Sequence, residues 1–102
     1  MRRLLVAFAL AALPSVALGA DAANGLVIAK RWCAECHVVA PDQTSAKADA
    51  PSFADIARRR LPAPDGGLGK FIMDPHPKMP DMQINRREAD DLVAYIATLK
   101  TN

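Results

Sequence analysis

Apolar residues run unbroken from Leu4 to Leu13 and afterwards recur at spacings of three and four wherever proline does not interrupt. No stretch sustains a period of two and no Asn-Gly turn occurs, so the pattern predicts helices and no sheet. The first helix runs from about Ala22 to Cys33 or a little beyond, with Asp21 as N-cap. Gly25, Ile28, Ala29 and Trp32 share its apolar face. Glycine inside a helix costs up to about 1 kcal/mol against alanine, so Gly25 needs a packing reason, and a close helix crossing supplies one. Ser52 opens a second helix: Ser52-Phe53-Ala54-Asp55 has the form of a capping box with Asp for the usual Glu or Gln, and Phe53, Ile56 and Ala57 make the apolar side. It stops near Arg60, ahead of Pro62 and Pro64. A short third helix covers about Gly67 to Met73, with Leu68, Phe71 and Ile72. The last helix is the most sharply marked, with Asn85 as N-cap, Glu88 three residues on, and Ala89, Leu92, Val93, Ile96 and Leu99 along one stripe flanked by Tyr95. Arg86, Arg87, Asp90, Asp91 and Lys100 are assigned to its outer face.

Between these helices lie Val38 to Ala50, a loop by composition, and Asp74 to Met82, kept extended by Pro75, Pro77 and Pro80. The opening apolar run is a different object. Arg2 and Arg3 precede it, Pro14 breaks it, and Ala17, Gly19, Ala20 and Ala22 follow, which is the layout of a secretory signal peptide. The run is shorter than the roughly 20 residues of a membrane-spanning helix. Residues 1–20 are therefore expected to be a cleaved leader, with the cut between Gly19 and Ala22, and residues 21–102 one mature domain without a membrane anchor. The whole chain has 13 Lys+Arg against 11 Asp+Glu. Removing Arg2 and Arg3 leaves 11 against 11, so no electrostatic footprint for nucleic acid remains. Some eighty residues make an apolar core that is marginal by itself, the size at which a cofactor is usually recruited.

Cys33-Ala34-Glu35-Cys36-His37 names that cofactor. The spacing C-x-x-C-H attaches haem covalently through two thioethers, and the adjacent imidazole lands on the iron. A thioredoxin-like C-x-x-C would come with a βαβ pattern, which is missing, and a zinc site would need further ligands, for which His76 is the one other histidine. Four side chains compete for the second axial position: Met73, His76, Met79 and Met82. Met73 falls in a predicted helix, where methionine usually packs in the core. His76 would give a bis-histidine site of lower potential than a His/Met one.

With these elements the mature chain resembles class I cytochrome c over essentially its whole length. The resemblance implies an all-α fold of short helices wrapped around one covalent haem c, and a first and last helix that cross at a glycine and a Leu-x-x-aromatic, here Gly25 against Leu92 and Tyr95. It implies that Cys33 and Cys36 carry the thioethers and that His37 ligates iron. The carbonyl of Pro51 accepts a hydrogen bond from that histidine, and Phe53 joins Pro51 in the haem pocket. The family's methionine ligand lies in a Met-Pro segment about 16 residues before the aromatic, which matches Met79-Pro80 and Tyr95. Arg58, Arg59 and Trp32 are the candidates for the propionates. The implied function is that of a periplasmic electron carrier and not an enzyme, a monomer docking transiently with membrane or periplasmic reductases and oxidases. A haem-bearing subunit of a dehydrogenase or oxidase complex is the alternative, followed by a gas-binding or sensory haem module.

Overall fold

The computed structural model describes residues 19–62, 67–74 and 78–100. The expected leader up to residue 18, and His76 with Pro64, Pro75 and Pro77, lie outside the described residues. The elements are α1 (Ala22–Ile28), a π-helical turn (Ala29–Cys33), α2 (Phe53–Arg60), α3 (Gly67–Met73) and α4 (Arg86–Thr98). Among the described residues no helix is long and apolar enough to cross a membrane.

The starts of α1, α2 and α4 are capped by the residues that the sequence offers. The Asp21 side chain accepts from the Asn24 backbone N–H, Ser52 accepts from that of Asp55, and Asn85 and Glu88 form a reciprocal capping box on α4. In α2 only the serine half of the box forms in this way; the Asp55 carboxylate pairs with Arg58 one turn on. Such caps contribute about 1 kcal/mol each by satisfying orphan backbone donors.

α1 and α4 pack across each other at Gly25. A Cβ built on Gly25 would collide with the Asp91 carbonyl oxygen and lie 2.8 Å from Tyr95 Cβ. The crossing is thus a contact of backbones, and the α4 main chain at Asp91 takes the space that any side chain at 25 would need. Around it, Ile28, Ala29, Ala57, Leu68, Ala89, Leu92 and Ile96 form one core. Fully buried Leu92 and Ile96 each contribute about 1.5–3 kcal/mol by leaving water.

Two expectations need correcting. The helical period puts Trp32 on the buried face of the first helix, yet it is 46% exposed, with Arg31 stacked over its ring. The cause is the π-helical turn: Ala34 N–H donates to Ala29 O at 3.0 Å, an i→i+5 bond that carries the face around more slowly than an α-helix does. The same period puts Asp91 on the outer face of the last helix, yet it is only 4% exposed. Its Oδ1 accepts from the Asp21 backbone N–H at 2.7 Å and its Oδ2 from Asn24 Nδ2 at 2.8 Å. A helix-face assignment cannot foresee this, because the partners come from the other helix of the crossing.

Gly25→Ala is expected to lower stability by about 1–3 kcal/mol through overpacking, although alanine is the better helix former. Urea unfolding followed by far-ultraviolet circular dichroism checks it; a raised midpoint would mean that the two backbones do not meet.

Candidate functional site

The π-helical turn hands the chain directly to the motif. Cys36 N–H and His37 N–H both donate to Cys33 O, at 3.1 and 2.9 Å, so the five residues of the C-x-x-C-H run form one tight turn. The segment after His37 is a loop, as its composition predicts, and it is braced from within. Gln43 is half-buried, and its amide spans the segment: Oε1 accepts from Val39 N–H at 2.9 Å, while Nε2 donates to Ala34 O and His37 O at 2.8 Å each and to Ser45 O at 3.1 Å. Val39 itself is 1% exposed, and its carbonyl accepts from the Tyr95 hydroxyl. Burial, and next the nearby Asp42, push the Tyr95 phenol above its ordinary pKa, so it stays a donor at neutral pH.

His37 is positioned from its far side by the entry to α2. Its Nδ1 lies 2.6 Å from the Pro51 carbonyl oxygen, as the resemblance implied. A carbonyl only accepts, so Nδ1 carries the proton and Nε2 keeps its lone pair for a metal. The Phe53 ring stands 5.3 Å from the imidazole at 53°, and Phe53 N–H is tied to Val38 O at 2.9 Å. Both faces of the turn are therefore fastened to the residues that begin α2.

These groups open onto a cavity of about 550 Å³, within the size range of cofactor sites. Cys33, Cys36, His37, Pro51, Phe53 and Met79 all line it, and so does Met82. Apolar side chains close it: Ile56 from α2, Leu68, Phe71 and Ile72 from α3, Leu92 and Ile96 from α4. Met73 sits half-buried on α3 and does not line the cavity. Of the arginine run, Arg60 lines it, its guanidinium 4.5 Å above the Phe71 ring, whereas the expected Arg58 pairs with Asp55 and Arg59 is exposed away from the lining. Trp32 also lines the cavity. Gln43 and Arg60 are not legible as site residues in the sequence; a lone glutamine in a polar loop and the last of three arginines carry no motif.

Burial, with the Cys36 thiol as second cause, pushes the Cys33 thiol up to about 11. A redox-active C-x-x-C needs the opposite, a depressed thiol. Among the described residues no group of three His, Cys, Asp or Glu side chains is placed to hold a metal ion. Two thiols and an imidazole whose Nδ1 is engaged by Pro51, beside two thioethers in one apolar cavity, fit a covalently attached haem: sulfur for its edge, nitrogen and sulfur for its iron, hydrocarbon for its faces.

Comparison with known proteins agrees with this chemistry. Residues 22–100 match the family described as Cytochrome c. The chain is 50% identical to Cytochrome c-552 of Bradyrhizobium diazoefficiens over 103 aligned positions, covering 98% of this chain and 95% of that protein. No solved structure matches.

Gln43→Ala is expected to cost about 1–3 kcal/mol, since several backbone groups lose a partner together. Gln43→Glu is not expected to recover it, because a carboxylate has no hydrogen to give to three carbonyl oxygens. Urea midpoints of the two variants at neutral pH check this; a Glu variant as stable as the parent would mean that the Nε2 bonds contribute nothing.

Proposed function

Because this chain belongs to the cytochrome c family and is therefore an electron-transfer protein with one covalently bound haem c, we propose that it shuttles electrons in the periplasm with His37 and Met79 as axial ligands of the iron. The observation that carries this reading is the convergence of Cys33, Cys36, His37 and Met79 on one cavity. The haem supplies a one-electron couple at iron, which Met/His ligation raises in potential, a rule stated for cytochromes c as a class.

The remaining work falls to the chain. Cys33 and Cys36 hold the porphyrin edge by thioether bonds. The Pro51 carbonyl fixes the tautomer and rotation of His37 and strengthens it as a donor. Lys78, immediately before Met79, has φ of 73°, a left-handed backbone that few non-glycine residues adopt and that turns the chain at the methionine segment. Leu68, Leu92 and Ile96 keep water from the cavity. With His37 and Met79 both given to the iron, no position would be left open for substrate, and ligands that stay in place through both oxidation states would keep reorganisation small. Redox partners then need only approach the haem edge, through the small and short-lived interfaces of electron-transfer encounters.

Periplasmic location is supported by the basic, apolar and small-residue pattern of residues 1–20. Mass spectrometry of the protein made in a host competent for cytochrome maturation is expected to show one covalent haem on a chain lacking the leader, with attachment impaired in Cys33→Ala and Cys36→Ala. An unmodified mature mass would sink the haem assignment.

The axial methionine is tested by a pair of substitutions, since Met82 lines the same cavity. Ferric haem with a thioether ligand has a weak long-wavelength absorption band. The native protein is expected to show it, Met79→Ala to lose it with a fall in potential, and Met82→Ala to keep it. Loss of the band in Met82→Ala alone would transfer the ligand to Met82.

A further inference from the structure

We infer that the mature chain starts at Asp21 and that its new α-ammonium group is held in an ion pair by the Asp91 carboxylate. The inference rests on the reading of residues 1–20 as a cleaved leader. Hydrolysis of the Ala20–Asp21 amide consumes one water: its oxygen goes to the Ala20 carbonyl carbon, which leaves as the carboxylate end of the leader, and the Asp21 nitrogen takes up protons to become an ammonium.

The geometry for the pair already exists. The Asp21 nitrogen is 2.7 Å from Asp91 Oδ1, at the short end of N–H···O distances, where charge-assisted bonds lie. With Gly19 and Ala20 still attached beside it Asp91 is almost fully covered, and its second oxygen is taken by the neutral Asn24 amide. Among the described residues no lysine or arginine pairs with it. A carboxylate served by two neutral donors is short of a cation, and the cut at residue 21 makes one of the nitrogen that already lies at hydrogen-bond distance.

Of the bonds in the expected range, Ala20–Asp21 is the one whose cleavage leaves the ammonium at Asp91. Cleavage after Gly19 would put the ammonium one residue further away, on exposed Ala20. Cleavage after Ala22 would remove both the N-cap of α1 and the donor to Asp91. A positive terminus at Asp21 stands at the positive end of the α1 dipole, which is unfavourable by itself. Two carboxylates offset it: Asp91 from α4, and that of Asp21, which caps Asn24 N–H at 3.1 Å. The other charges facing this end are Arg86, Arg87 and Asp90, which with Gly19 and Ala20 line a shallow depression of about 400 Å³. Arg87 adds a minor favourable field; the Asp21 and then the Asn24 hydrogen bonds are the main causes that hold Asp91 below the ordinary carboxylate range.

Stability then depends on pH in two opposite directions. An α-ammonium paired with a carboxylate titrates above its unfolded value of about 7.7–8.0, so its contribution is complete below that value and lost as pH rises through the folded one. The Asp91 contribution is lost in the other direction, as pH falls through the carboxylate range.

N-terminal sequencing of the purified holoprotein is expected to begin at Asp21. A start at Ala20 or Ala23 overturns the inference while leaving the leader reading intact, and a retained leader overturns both. The pair itself is read from the α-amine. At neutral pH it is expected to react with an amine-labelling reagent about ten-fold more slowly than in Asp91→Asn, the deficit of free amine that one pKa unit represents. The native urea midpoint is expected to fall above about pH 8, and that slope to vanish in Asp91→Asn. A mature chain with one extra alanine before Asp21 keeps Asp91 and the core but displaces the charge, and should also lack the slope. Equal labelling rates, or a slope that survives in the extended chain, would overturn the pair.

Discussion

The approach of two backbones at Gly25 is the constraint on which the rest of this fold depends. With no side chain at 25, the Asp91 carbonyl of α4 enters the space that a Cβ would fill, and the two helices lock at a single register. One residue then serves twice. The main chain of Asp91 makes the crossing, and its side chain reaches over to Asp21 and Asn24 at the head of α1. One turn further along, Tyr95 packs its Cβ against the same glycine and sends its hydroxyl to Val39 O. The C-terminal helix thereby holds both the start of the first helix and the segment just past the C-x-x-C-H turn.

That turn is in consequence rigid from several directions. α1 does not simply end before it; the π-helical turn Ala29–Cys33 swings Cys33 and Trp32 off the buried face and toward the cavity. Gln43 then closes the polar segment onto the carbonyls of Ala34 and His37, and Pro51 receives the imidazole from the other side. An electron carrier benefits from such a frame because the transfer rate falls with every rearrangement that accompanies it. The hydrogen bonds here restrain the backbone of the turn and the ring of His37 at once.

The apolar interior explains why a chain of this size needs its cofactor. Among the described residues Leu92, Ile96 and Val39 are the largest side chains that are fully covered, and beside Leu92 and Ile96 lies a cavity of about 550 Å³ lined by hydrocarbon from α2, α3 and α4. Helices of 7, 8 and 7 residues in α1, α2 and α3 are too short to be stable alone. In the proposed site a haem would complete the core, and the group that carries the electron would also be the one around which the helices close.

Much of this was determined by the sequence itself. The helix starts at Asp21, Ser52 and Asn85 come from local hydrogen-bonding chemistry between residues three apart. The end of α2 comes from Pro62, and the haem motif from covalent spacing within five residues. Gly25 announced a crossing because glycine in a helix has a cost that needs a reason. The tertiary structure decided what depends on partners remote in the chain. Asp91 reads as a surface charge on the α4 wheel and turns inward only because residues 21 and 24 meet it. Trp32 left the core through a single shift in helical pitch that no periodicity reveals. Gln43 became the fastener of the turn, and Arg60, in place of Arg58 or Arg59, came to the cavity. Each of these is settled by where a side chain's hydrogen-bonding or packing partner lies in space, which short-range pattern cannot encode, whereas caps, breaks and the C-x-x-C-H turn are completed within a few residues.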